Sequence, residues 1–310
     1  MDIIDINEEK LEKRDPELLK ILIKDNSTGQ NIKWATDNYL SYGFDYAPEC
    51  EIKVELITGV NKKLIQPRIC KSQDEQTKRT KDKAEVFTPS WVCNEQNNLV
   101  DERWFDRKNI FNTVIEKGWI TNLDKIPFSE EKDWKSYIDA RRLEVSCGEA
   151  PYLVSRYDTV TGEFVPVKER IGLLDRKLRV INENTIEMEE WYKWVVRAFQ
   201  SIYGYEYQGD NVLLARENLL YTFVDNMLYK FDLEPTLKQM KEIAKIISWN
   251  IWQMDGIKLT APYSEAKPLF EQLTLFELDE LTAINDPVYC KIFDWRSNCS
   301  MNYKDILNGG

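Results

Sequence analysis

Apolar positions recur at two different spacings along the chain, and the switch between them marks out the elements. Leu18, Leu19, Ile21, Leu22 and Ile23 make the apolar side of a helix within residues 1–25, and Asp25-Asn26-Ser27-Thr28-Gly29 ends it in a turn. Glu51-Ile52-Lys53-Val54-Glu55-Leu56-Ile57 alternates charged and apolar residues, which predicts a half-buried strand. Pro89 predicts a helix beginning just beyond it and running through Val100, and the Trp- and Phe-rich residues 101–135 predict short helices. Leu143-Glu144-Val145 reads as a strand entering the small-residue turn Ser146-Cys147-Gly148, with a helix to follow. Asp158-Thr159-Val160-Thr161-Gly162-Glu163 reads as a turn or small hairpin, and residues 169–182 as a helix.

A stronger helix spans 187–201, where Trp191, Trp194, Val195 and Ala198 share a face with Ile202. Ser201-Ile202-Tyr203-Gly204-Tyr205-Glu206-Tyr207 reads as a short strand, and Asp210 caps a helix whose stripe is Val212, Ala215, Leu219, Phe223 and Met227. Residues 235–248 predict another helix, Ile251-Trp252-Gln253-Met254 a strand end, and Tyr289–Asp294 a further strand. Helices alternating with short apolar strands imply an α/β fold on a mostly parallel sheet. Three parts are expected: an N-terminal extension over 1–83, a helical lid region over 84–135, and an α/β domain over 136–310.

Composition narrows the chemistry. The 310 residues include no His, which excludes Ser-His-Asp triads and imidazole acid–base catalysis. Six Cys are scattered without a Cys-x-x-Cys pair, so reduced thiols and no metal site are expected. No apolar run is long enough to span a membrane and the first residues lack a signal-peptide core, so a cytoplasmic address without membrane partners is expected. The formal charge of -11 disfavours indiscriminate nucleic-acid binding. One segment runs against it: Lys62, Lys63, Arg68, Lys71, Lys78 and Arg79 crowd together and are the candidate DNA-phosphate contacts, the plainer alternative being a solvated face. Glu51-Ile52-Lys53 also fits the Glu-x-Lys of metal-dependent nucleases, although charged alternation on an exposed strand explains it as well.

Three predicted strand ends carry acids in series: Glu144, Glu206 and Asp255. On one parallel sheet their carboxyl ends would line a single crevice, where nucleotide cofactors bind. In this ordered set the chain resembles the adenine-N6 DNA methyltransferases of restriction–modification systems, the large type called restriction endonuclease subunit M. Val86-Phe87-Thr88-Pro89 is similar to that family's Phe-x-Pro-type motif, and Glu144 through Leu153 to its Asp-Pro-Ala-Cys-Gly-Ser-Gly loop. Tyr203-Gly204-Tyr205-Glu206 and Gln253-Met254-Asp255-Gly256 resemble its ribose and adenine motifs, so the likeness covers roughly 84–260. The resemblance implies a Rossmann-like sheet with helices on both faces, preceded by a mixed α/β extension, and S-adenosyl-L-methionine as cofactor. It assigns Phe87, Thr88 and Pro89 to the lid motif, Cys147, Gly148 and Glu149 to the methionine-side loop, Glu206 to the ribose and Asp255 to the cofactor's adenine, with Glu144 as a further cofactor-binding candidate at the strand end.

Glu149 and Ala150 stand where that family has Ser and Gly, and Glu144 and Glu206 are spaced widely enough to imply an insertion over 156–185. No Asn-Pro-Pro-Tyr motif is present, and Asp286-Pro287-Val288-Tyr289, its nearest approximation, is expected to be a loop. The catalytic residues are therefore unknown. The implied function is site-specific methyl transfer to adenine N6 in DNA, with this chain as the cofactor-binding part and a second chain or further region supplying catalytic loop and target recognition. A non-catalytic methyltransferase-like binding or anti-restriction module is the alternative, and the nuclease a weaker one.

Overall fold

The computed structural model describes residues 7–83, 88–264 and 287–307. Two capped helices open it. The Asn7 side chain accepts the Lys10 N–H at the start of α1 (Glu8–Arg14), and Asp15 accepts that of Glu17 at the start of α2 (Pro16–Leu22). Asp25 closes the expected turn by accepting the Ser27 and Thr28 N–H groups. The strand expected over 51–57 does not form. Glu51 makes a single bridge to Lys33, and Val54–Ile57 closes into one helical turn, α3, with Leu56 N–H on the Lys53 carbonyl. Ile52 and Ile57 are fully buried, and at five residues apart they would fall on opposite faces of a half-buried strand.

The basic segment lies on turns and on α4 (Gln73–Lys83). Past Pro89 the predicted helix, α5 (Ser90–Phe105), extends beyond Val100 and ends at Asp106 in a left-handed conformation. Residues 112–121 are not helical as expected. β1 (Asn112–Ile115) and β2 (Gly118–Thr121) form an antiparallel hairpin, with Lys117 at φ 52° in its tight turn. The β-branched Thr113-Val114-Ile115 before Gly118 favours extended backbone, a signal outweighed in the sequence by the surrounding charge.

After α6 (Trp134–Asp139), β3 (Arg142–Val145) enters the principal sheet. The helix expected directly after its turn is absent. A long loop with a Tyr157–Phe164 bridge leads instead to α7 (Leu173–Asn184) and α8 (Met188–Gln200). Then follow β4 (Ile202–Glu206), α9 (Gly209–Phe231), α10 (Leu237–Asn250) and β5 (Ile251–Gln253). The strands are parallel in the order β3-β4-β5, with Val145 beside Tyr205 and Glu206 beside Gln253. Two helices separate each pair of strands.

Helices do not cover both faces in the expected way. Ile202 and Ile251 join the helical core, whereas Tyr203, Tyr205, Trp252 and Met254 pack with Cys290 and Tyr303 in a smaller cluster. Their cover comes from the antiparallel pair β6 (Lys291–Asp294) and β7 (Cys299–Asn302) and the short α11 (Tyr303–Leu307). The predicted strand near 289–294 thus belongs to a separate hairpin. The architecture is mixed α/β with small sheets, and no helix among the described residues is long and apolar enough to cross a membrane.

The N-terminal extension is not a separate packing unit. Leu18, Leu22, Trp34 and Ile52 belong to the same buried cluster as α7 to α10. Gly209 is the tightest contact: its N–H donates to the Trp34 carbonyl, and a Cβ there would lie 1.9 Å from the Lys33 oxygen.

Candidate functional site

β3 ends in a loop with alternating left-handed residues, Ser146 (φ 50°), Gly148 (φ 51°) and Ala150 (φ 64°). Two of these carry side chains, and such backbone persists only where its surroundings over-determine it. Here the Cys147 N–H donates to the Tyr205 carbonyl, continuing the contact with β4 past the end of β3. At Gly148 nothing lies within 4 Å of an added Cβ, so the backbone is open to close approach.

Two acids converge on this loop from adjacent strands. Glu206 accepts the Gly148 N–H at 3.0 Å and the Gln208 N–H at 3.1 Å. Burial pushes its carboxyl above the usual range against those backbone bonds. Glu144 accepts the Tyr152 N–H at 3.4 Å with one oxygen, while Oε2 is buried without a hydrogen-bond partner. Burial holds the Glu144 carboxyl well above its ordinary value, with Glu206 adding to the effect. Glu144 borders a cavity of about 80 Å³, with Thr88, Cys147, Gly148, Tyr152 and Asn211 among its other walls, and Glu206 reaches it only through Gly148.

The other residues proposed for the cofactor separate from this group. Glu149 also borders the cavity, yet its oxygens accept the Arg68 N–H and the Tyr157 hydroxyl, both at 2.7 Å, so it serves as a brace. Asp255 lies just past β5, where Oδ1 accepts the Ile257 and Lys258 N–H groups and shapes a turn. The Thr88 carbonyl accepts the Thr159 hydroxyl, and the Pro89 carbonyl starts α5 by accepting from Val92 and Cys93. Phe87 and Asp286 lie outside the described residues. Tyr289 bridges to Thr260, and its hydroxyl accepts from Lys304.

The basic segment does not form the exposed surface expected of it. Lys62 and Lys63 are exposed, with Lys62 3.7 Å from Glu9. Arg68 is buried and donates to the Gln76 carbonyl and the Thr80 hydroxyl. Lys71 and Arg79 turn inward to Asp210 at 3.5 and 2.8 Å. The Lys78 side chain lies outside the described residues. Glu51, the nuclease candidate, accepts the Asn31 N–H, and among the described residues no group of three His, Cys, Asp or Glu is placed to hold a metal ion.

Several residues of this region escape sequence reasoning. Tyr157 and Asn218 complete the brace around Glu149, the Asn218 amide donating to the Glu149 carbonyl and to the Tyr157 oxygen. Asp210 is not the cap of α9, a position held by Gln208, but accepts from Tyr39 and Arg79. These contacts join residues more than sixty positions apart, and no local spacing encodes them. No known family, curated protein or solved structure matches the chain.

Proposed function

We propose that the chain binds S-adenosyl-L-methionine at the 146–150 loop and is the cofactor-binding part of a DNA adenine-N6 methyltransferase with a Rossmann-like sheet. The supporting observation is that Glu144 and Glu206, near the carboxyl ends of neighbouring parallel strands, both hold the loop after β3, Glu206 at Gly148 and Glu144 at Tyr152, with Glu144 and Gly148 lining a cavity. The unpartnered Glu144 Oε2 suits an ammonium donor such as the one on the methionine moiety. Glu206 already accepts two backbone bonds, but a carboxylate has about four lone-pair sites, which leaves capacity for ribose hydroxyls. Gly148 leaves room for close approach to the backbone; Asp255, with one oxygen tied into its turn, retains the other for an adenine amino group. The bound cofactor would supply an electrophilic methyl group, and the chain's part is to bind and orient it.

Calorimetric titration of the purified chain with S-adenosyl-L-methionine tests this. Low-micromolar binding, about -8 kcal/mol, is expected, and Glu206→Ala should weaken it about tenfold or more. Absence of binding at millimolar cofactor would sink the reading.

A second reading is a binding module that holds cofactor or partner without transferring methyl groups. The bracing role of Glu149 favours it, because that position of the loop is committed to holding Arg68 and Tyr157. Methyl transfer to DNA by the chain alone would remove it.

A further inference from the structure

A second cavity lies away from the cofactor loop, between the turn Leu40–Tyr42, the turn Arg68–Cys70 and α4. It holds about 200 Å³, and Lys63, Lys71, Arg79, Asn38, Tyr39 and Tyr42 are among its walls. Among the described residues, the Asp210 carboxylate lies beside Lys71 and Arg79, and Glu75 is another wall of the cavity. Asp210 is already engaged by three donors, its Oδ2 accepting from Arg79 and Tyr39 at 2.8 Å and its Oδ1 from the Asn211 N–H. Glu75 is turned to the Ser72 N–H and hydroxyl. Lys71 Nζ sits 3.5 Å from Asp210, and although its side chain is only 8% exposed it makes no hydrogen bond. The Asn38 amide nitrogen is likewise buried without a partner. A buried ammonium with its donors unmade is costly, and an anion entering the cavity would satisfy it.

The rim indicates what carries that anion. Tyr42, 58% exposed, stands at the cavity wall, and Phe44, two residues on, is 95% exposed. Cations in a recess with exposed rings alongside are the combination that holds a phosphate while an unpaired base stacks outside.

We propose that this cavity is a phosphate subsite for a nucleic-acid strand, with Lys71, Lys63 and Arg79 around the phosphate and Tyr42 under an unpaired base. It deepens the nucleic-acid side of the function above and rests on that reading only for the class of partner.

The test is fluorescence polarisation of a labelled short single-stranded oligonucleotide on the full chain, with inorganic phosphate, a mononucleotide and the matching duplex as competitors. Binding to the strand is expected, weakened about fivefold or more by Tyr42→Ala and by Lys63→Ala. Lys71→Met should also lower the slope of log affinity against log salt by about 0.7, the share of one single-strand phosphate contact. Lys63 and Tyr42 are exposed, so their variants keep the test valid if Lys71→Met fails to fold. Strand binding that none of the three variants changes, or binding of mononucleotide without the strand, would overturn the proposal. The cofactor titration repeated on the same preparations separates the two ideas, because Lys63→Ala should leave cofactor affinity unchanged whether or not the strand binds.

Discussion

At the scale of single residues, Asp210 shows what burial and charge do together. Its carboxylate is fully buried where Tyr39, Lys71 and Arg79 meet the first turn of α9. Burial alone would raise its titration point, but Arg79 and Lys71 outweigh that and hold the carboxyl well below the usual range. A depressed folded value means this stability is present above the ordinary value of 3.8 and is lost as pH falls below it. Removing one partner of a buried ion pair strands the other. Asp210→Asn is therefore expected to cost about 3–5 kcal/mol in urea unfolding at pH 7, and a loss under about 1 kcal/mol would contradict the argument.

At the scale of elements, buried arginines hold helices together. Arg216 on α9 donates to the carbonyls of Leu22, Lys24, Ser248 and Ile251, which satisfies groups left open where α2 and α10 end. Arg176 ties α7 to α5, donating to Asp101 at 2.6 Å and to Asn94 and Asn98 at 2.8 Å. Arg176→Met should cost about 3–5 kcal/mol because Asp101 is left charged and buried, whereas adding Asp101→Leu should recover most of that loss. A double-mutant cycle measures the coupling, and additive losses would show that the pair is not the link. The periodic stripe of α9 was legible in the sequence. Burial of Arg216, Glu217 and Asn218 on its other sides was not, because polar residues off an apolar stripe carry no local sign of burial.

At the scale of the whole molecule, buried acids set the response to pH. Glu8 on α1 has no hydrogen-bond partner, and burial pushes its carboxyl up to about 8. Glu217 on α9 is also unpartnered, and burial and then Glu8 hold it well above the ordinary range. Raised folded values contribute stability that is full below the ordinary 4.5 and lost as pH rises toward the folded values. Thermal unfolding should therefore occur at a lower temperature at pH 8 than at pH 5, and Glu8→Gln should flatten that decline. A melting temperature that climbs over the same interval would exclude these acids as the dominant groups.

The sequence alone determined the local elements and the order of their acids. The helices after Pro89, over 187–201, beyond Asp210 and over 235–248, and the strands carrying Glu144 and Glu206, follow from residue spacing, which acts within a few positions. It also offered Glu144, Cys147, Gly148, Glu149, Glu206 and Asp255 as one candidate group; the parallel pairing sets Glu206 on Gly148, while Asp255 shapes a turn past β5. Only the tertiary structure decided which charges stay in water. Lys71 and Arg79 look like surface cations until Asp210, more than a hundred residues away in the chain, is packed beside them. Glu149 looks like a cofactor ligand until Arg68 and Tyr157 take its oxygens. A local pattern records a residue's neighbours along the chain, whereas a buried charge is decided by the partner that folding delivers.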